Sequence, residues 1–255
     1  MILFDQIIFG PIHSRRLGLS LGVNLLPVDA KICSFNCIYC ECGFNTTMRE
    51  FPMPTRQQVR ETLEAKLTEM NDAGQVPDVI TFAGNGEPTL HPQFEGIIDD
   101  TIALRNQFFP LAKVSVLSNS TRVHKAQVFR ALQKVDNNIM KFDSAIDRTM
   151  QLIDQPTGKQ INVAWFIGQL KRFDGDLIIQ TMLLRGEYKG ECFDNTTDEE
   201  VEEWLKAMEQ IRPREIMLYS LDRDTPVQQL QKIDFDEMNA IAEKARARGF
   251  VVSVA

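Results

Sequence analysis

The chain has 255 residues, 44% of them hydrophobic and 25% charged, with a formal net charge of −7. This excludes a disordered chain and leaves room for a substantial core, and the acidic balance, with a pI near 5.1, excludes the surface-wide basic field by which proteins hold nucleic acid. No apolar run reaches the ~20 residues of a membrane span, the first residues lack the basic region of a signal peptide, and five cysteines, three of them clustered, suit a reducing compartment better than a disulfide framework.

A cytoplasmic protein is therefore expected. In chain order, Phe9 to Gly18 reads as a turn-rich lead-in punctuated by Gly10 and Pro11. Leu19 to Pro27 alternates apolar with small or polar residues and ends at proline, the mark of a strand. Thr55 caps a predicted helix from Arg56 to Ala73, with Leu63, Leu67 and Met70 along one stripe and Gly74 as the stop. The alternation then continues. Strands are predicted over Val79–Ala83, Val114–Ser118, Asn138–Asp143, Leu177–Leu184 and Glu215–Ser220, with helices over Gln93–Asn106, His124–Leu132, Ile161–Arg172, Thr197–Ile211 and Asp234–Arg248. Asp198, Glu199 and Glu200 sit where the helix dipole favours anions. Gly186 to Asn195 is a long loop, and Phe250–Val254 is a terminal strand. This is a run of six or seven βα units, fewer than the eight of a closed barrel, without a linker or repeat. A single domain over residues 1–255 is expected, with ligand groups at the carboxyl ends of parallel strands.

At the end of the first predicted strand, Cys33, Cys37 and Cys40 form Cx3CxxC. Thiolates at these intervals cannot share one face of a regular element, but a loop can wrap them around an iron–sulfur cluster. Three ligands leave one iron of a four-iron cluster open. The alternative is a zinc site completed by Cys42 in a zinc-stapled binding protein without redox chemistry, although zinc sites usually pair two separated CxxC clips.

Polar groups follow the other strands. Gly84-Asn85-Gly86-Glu87-Pro88 places two glycines and a carboxylate directly after the second predicted strand. Ser118 and Asn119 end the third, as cofactor contacts or as a helix cap. Lys141 and Asp143 end the fourth on one face, as ligand groups or as an internal ion pair. Arg185 offers a fork of donors to an anion or to a surface salt bridge. Cys192 in the long loop is a candidate hydrogen donor in catalysis or a packing residue, and Tyr219 or Leu221 closes the sixth strand.

The cysteine spacing with an aromatic residue, Tyr39, before the last cysteine resembles the cluster loop of the radical S-adenosylmethionine (SAM) superfamily. The stretches Gly10–Gly18, Gly84–Leu90, Lys141–Asp143 and Asp222–Pro226 extend the resemblance over nearly the whole chain, to a branch similar to the wyosine-synthesis group that modifies tRNA. It implies a partial (β/α)6 TIM-like barrel, a [4Fe–4S] cluster on Cys33, Cys37 and Cys40, and SAM chelated at the open iron. One electron from the cluster would cleave SAM to a 5′-deoxyadenosyl radical that abstracts hydrogen from a substrate. Gly84, Asn85, Gly86 and Glu87 correspond to the motif that binds the SAM amino group, with Asn85 as a departure from its Gly-Gly-Glu-Pro form. Tyr39, Ser118, Asn119, Lys141, Asp143 and Tyr219 are the further cofactor contacts. The implied partners are a reductant such as flavodoxin or ferredoxin, and a substrate. A tRNA base is favoured by the likeness and by Arg15 and Arg16; a small molecule, peptide or protein is favoured by the acidic charge, because phosphate binding draws on Lys and Arg. No membrane partner is expected.

Overall fold

A computed structural model of the chain describes residues 2–46, 52–158 and 160–255. Its strands are β1 (Ile8–Ser14), β2 (Gly18–Val23), β3 (Val79–Phe82), β4 (Lys113–Ser118), β5 (Asn137–Lys141), β6 (Ile178–Met182), β7 (Leu184–Tyr188), β8 (Glu191–Asp194), β9 (Glu215–Tyr219), β10 (Leu230–Lys232) and β11 (Val252–Val254). The helices are α1 (Arg56–Asp72), α2 (Phe94–Phe108), α3 (Ala126–Leu132), α4 (Asp147–Asp154), α5 (Val163–Leu170), α6 (Asp198–Ile211) and α7 (Phe235–Arg246).

Eight strands form one curled sheet in the order β1-β2-β3-β4-β5-β6-β9-β11. From β2 onward every neighbour is parallel, and only β1 is antiparallel. Crossover helices hold parallel strands in this way because a parallel pair cannot be joined by a tight turn. The result is a half-barrel of the partial TIM type, as the βα count and the family resemblance imply.

The helix-facing side carries most of the core. Val59, Leu63, Leu67 and Met70 of α1 join Leu21, Val23, Ile80, Phe82, Val114 and Val116 in one buried cluster, the i, i+4 stripe of a helix meeting the alternate residues of strands. The Thr55 side chain accepts from Gln58 N while the Gln58 side chain accepts from Thr55 N, so α1 begins with a full capping box. Inside the half-barrel, Ile139, Ile178 and Met217 form a smaller apolar layer with Leu17 and Leu117. Above that layer, toward the carboxyl ends, the interior turns polar.

Five stretches differ from the sequence reading. The supposed lead-in contains a strand, β1, whose pairing with β2 is irregular between Phe9 and Ile12, where Gly10 and Pro11 lie. The helix α4, absent from the reading, follows β5. The predicted strand over Leu177–Leu184 divides into β6 and the start of β7, and the long loop is a hairpin, β7–β8, that forms a second sheet with β10. The final strand is limited to Val252–Val254.

The β1–β2 hairpin depends on Gly22. A Cβ built there would come within 2.1 Å of the Phe9 ring, which lies over it and stacks on Phe4 with centroids 3.9 Å apart. Gly22→Ala must therefore push Phe9 out of its seat. We expect a loss of about 1–3 kcal/mol, as for other overpacked sites, measured by urea unfolding; a loss within error would show that the ring has another place to go.

Candidate active site

The cysteine loop leaves β2 through Pro27 and is laid against the turn after β3. Ile32 N donates to Asn85 O at 2.9 Å and Glu87 N donates to Ile32 O at 3.1 Å, which makes a parallel bridge between Ile32 and Gly86. Gly86 has φ +135°, and a Cβ there would lie 1.8 Å from Ile32 O. Only glycine allows the two backbones to approach so closely. On its other side the loop is held by the end of α4: Asn36 N donates to Asp154 O at 2.9 Å, Ile38 N to Ile153 O at 3.0 Å, and Thr157 N to Ser34 O at 2.9 Å.

These two clasps set the thiols. Cys37 is buried, and Cys33 and Cys40 are half-buried. Two N–H groups point at Cys33 Sγ, that of Phe35 at 3.5 Å and the Asn119 side-chain amide at 3.4 Å. Without a metal, burial pushes the Cys33 thiol up to about 12, with the Glu87 charge adding to the rise. Burial raises Cys37 as well. Cys40 goes the other way, down to about 6, because Cys42 donates a hydrogen bond to it; burial opposes the fall and Lys31 assists it. Cys42 is itself raised by the bond it makes to Cys40, and its Sγ also reaches Gly84 O at 3.5 Å. Three sulfurs in one loop, two of them half-buried and one receiving N–H donors, suit a thiolate-ligated iron–sulfur group.

Glu87 is 2% exposed, and its carboxylate is turned into the protein. Oε1 accepts from Thr89 N at 3.0 Å, Thr89 Oγ1 at 2.5 Å and Ser118 Oγ at 2.9 Å, while Oε2 accepts from Asn119 N at 2.7 Å. It ties the end of β3 to the end of β4. Burial raises its pKa, and the donors from Asn119 and Thr89 work against the rise. Asn119 in turn donates to Ser34 Oγ at 3.0 Å and to Cys33, so the carboxylate acts on the cysteine loop through its neighbours.

Asn85, the departure from the family pattern, is 0% exposed. Its Oδ1 accepts from Phe4 N at 2.8 Å and its Nδ2 donates to Phe4 O at 2.9 Å and to Pro27 O at 2.8 Å. The amide therefore fastens the N-terminal segment, which also crosses the cysteine loop where Ile2 N donates to Glu41 O at 2.9 Å.

Lys141 and Asp143 form an ion pair, as their shared face allows, and both meet the Tyr39 hydroxyl, which donates to Asp143 Oδ2. A third charge, unread from the sequence, is Asp154 at the end of α4, 2.8 Å from Lys141 Nζ. Burial works against the Lys141 cation, but Asp143 and then Asp154 more than offset it and hold its pKa well above the ordinary value. Burial pushes Asp154 up to about 7, with Lys141 opposing and Asp143 adding. Asp143 Oδ1 also accepts from Met182 N at 3.0 Å, which locks the group to β6.

A cavity of about 270 Å³ opens beside this network. Tyr39 and Cys40 line one side, Leu117, Gln180, Met182 and Tyr219 line others, and Arg16 reaches in from the β1–β2 turn. The Arg16 guanidinium lies 4.4 Å from the centroid of the Tyr219 ring, and Arg15 is 3.5 Å from Asp222. Burial pushes the Tyr219 hydroxyl up to about 12, with Asp143 adding. Gly84, Gly86, Ser118 and Asn119 adjoin the cysteine loop rather than this cavity. Cys192 is brought to neither place: it is exposed on β8 and lines a separate cavity of about 550 Å³ beside Arg185, Phe193 and Gln229. Arg185 is occupied by Asp194 and Glu237.

Residues 28–192 match the model of the radical SAM superfamily, and the chain belongs to that superfamily. It is 31% identical over 229 residues to a UPF0026 protein of Synechocystis sp., covering 87% of this chain and 77% of that one, and so belongs to the UPF0026 family. The chain spans 33% and 57% of the length of other curated relatives that it matches. Its fold is similar to that of a radical SAM methyltransferase from Sphaerobacter thermophilus, with TM-score 0.67 and 16% identity over 92% of this chain and 65% of that one. It is also similar to TYW1 with a lysine-pyruvate adduct bound, with TM-score 0.63 and 17% identity over 89% and 73% of the two chains. At such identities the likeness is one of fold.

Glu87→Gln replaces one acceptor oxygen by a donor, so either Asn119 N–H or the three donors at Oε1 lose their partner. An unsatisfied buried group costs about 1–3 kcal/mol. We expect that loss in thermal unfolding of the metal-free protein; unchanged stability would mean that the carboxylate is free to face a ligand.

Proposed function

We propose that the chain is a radical SAM enzyme in which Cys33, Cys37 and Cys40 hold a [4Fe–4S] cluster and SAM occupies the mouth beside it. The observation that carries this reading is the pairing of the cysteine loop with the Gly84–Glu87 turn, which fixes a loop of three cysteines whose last, Cys40, lines a cavity with Tyr39, Gln180 and Tyr219. When bound, the cluster and SAM supply one-electron cleavage of the sulfonium and abstraction of hydrogen from a substrate.

The protein's own part is to hold and to orient. Tyr39, Asp143, Lys141 and Asp154 fix the loop from below, because each has a partner in the same buried network. Glu87 and Asn119 hold the N–H donor against Cys33. Cys42 stays a protonated thiol between Cys40 and Gly84 O rather than a ligand. The backbone of Gly84 to Gly86 and the side chains of Ser118 and Asn119 flank the methionine end of SAM, and Tyr219 flanks its adenosine.

The substrate is a small molecule, peptide or protein rather than tRNA. Arg15 and Arg16, the residues that would favour tRNA, are directed to Asp222 and Tyr219, and the chain is acidic overall. A flavodoxin or ferredoxin in the cytoplasm would supply the electron. No helix among the described residues is long and apolar enough to cross a membrane.

Anaerobic reconstitution should give a brown protein with about four irons per chain, the content of a [4Fe–4S] group. Addition of dithionite and SAM should then release 5′-deoxyadenosine. Cys33→Ala, Cys37→Ala and Cys40→Ala should each lose the visible absorption, whereas Cys42→Ala should keep its iron. A colourless protein with one zinc, lost in Cys42→Ala, would overturn the reading and leave a zinc-stapled binding protein.

A further inference from the structure

The site contains two lysines, Lys31 buried and Lys141 half-buried, and they are not compensated alike. Lys141 has the carboxylates of Asp143 and Asp154. Lys31, two residues before the first cysteine, is 2% exposed and is among the largest fully buried side chains of the protein. Its Nζ donates to Gly43 O at 2.6 Å. That carbonyl belongs to the turn in which Gly43 N donates to Cys40 O at 2.8 Å, so the ammonium is anchored to the turn that carries Cys40, and its charge favours the thiolates of Cys40, Cys33 and Cys42. Among the described residues no carboxylate forms an ion pair with it.

A buried ammonium without a counter-charge is costly, and the cost is removed by an anion in contact. Three thiolates carrying a cluster are such an anion, and the turn that holds the ammonium carries one of them. We infer that Lys31 is a positioning residue for the iron–sulfur group, its cation paired with the cluster rather than with a carboxylate, so that it stabilises the reduced state and raises the reduction potential. Reduction adds one negative charge to the cluster, and a nearby cation in a low-dielectric site favours that state; hydrogen bonds to cluster sulfurs act in the same sense. The inference rests on the cluster reading above, and its test is separable from that reading.

Lys31→Gln keeps a donor for Gly43 O and removes the charge, Lys31→Met removes both, and Lys31→Arg keeps the charge. Each protein is reconstituted anaerobically, its iron is counted, and its visible absorption is followed against redox mediators with no SAM or substrate present. At the potential where the parent is half reduced, we expect the ratio of reduced to oxidised Lys31→Gln cluster to fall at least tenfold, a shift of about 59 mV for one electron, and Lys31→Arg to stay near the parent. An iron-loaded Lys31→Gln with the parent's midpoint would overturn the inference. Should Lys31→Gln and Lys31→Met fail to hold iron while Lys31→Arg holds it, the charge is needed for assembly, which supports the pairing. Should all three fail, the residue acts by packing alone and the inference is wrong. A parent that takes up no iron would instead refute the cluster reading itself.

Discussion

The site depends on one close approach of two backbones. Ile32 and Gly86 pair as if the cysteine loop were one more strand beside the turn after β3, and the pair exists because Gly86 has no Cβ to collide with Ile32 O. Around that contact, side-chain amides hold the backbone in place: Asn24 Oδ1 accepts from Asn85 N at 3.1 Å, Asn45 Nδ2 donates to Cys33 O and Phe35 O at 3.0 Å each, and Asn36 Oδ1 accepts from Asn45 N at 2.7 Å. A loop with its backbone groups paired in this way resists rearrangement, since each orphaned group would cost a lost hydrogen bond. Rigidity at this point is what a redox centre needs, because its sulfurs must keep one geometry in two charge states.

Charge is arranged in the same spirit. The interior above the apolar layer of Ile139, Ile178 and Met217 holds Lys31, Asp143, Asp154 and Glu87, all buried, and the half-buried Lys141. Glu87 and Asp143 each have several donors, Asp154 has the Lys141 ammonium, and Lys141 has two carboxylates. At the rim, Lys232 pairs with Asp222 at 3.6 Å within the last βα connection, and Arg223 pairs with Glu41 at 2.8 Å, which links that connection to the cysteine loop. Such exposed pairs add little stability, but Glu41, Asp222 and Arg223 line the cavity beside Tyr39.

The parts of this site that were legible in the sequence are the local ones. Cysteine spacing, the Gly84–Pro88 turn and the shared face of Lys141 and Asp143 are all fixed within a few residues, where periodicity and turn chemistry operate. The parts that were not legible depend on distant chain. Lys31 reads as an ordinary surface cation until Gly43 and Thr46 are folded over it. Asp154 reads as nothing in particular, because α4 has only eight residues and no side-chain cap to announce it. The strand β1 was hidden by Gly10 and Pro11, which are turn residues in most settings, and the hairpin β7–β8 by its polar composition and by a partner, β10, some forty residues away. Glu87 was visible as a site residue, but its direction, into β4 rather than toward the mouth, is a property of the assembled half-barrel.

The central claim is that the cluster on this loop presents an open iron to SAM. Electron paramagnetic resonance of the dithionite-reduced protein, recorded before and after addition of SAM, tests it most directly. If SAM binds that iron, the signal of the reduced cluster must change on addition, and SAM labelled with nitrogen-15 at the amino group must show coupling to the cluster. A signal that is identical with and without SAM would mean that the fourth iron is closed to the cofactor, and the assignment of this mouth as a radical SAM site would fall.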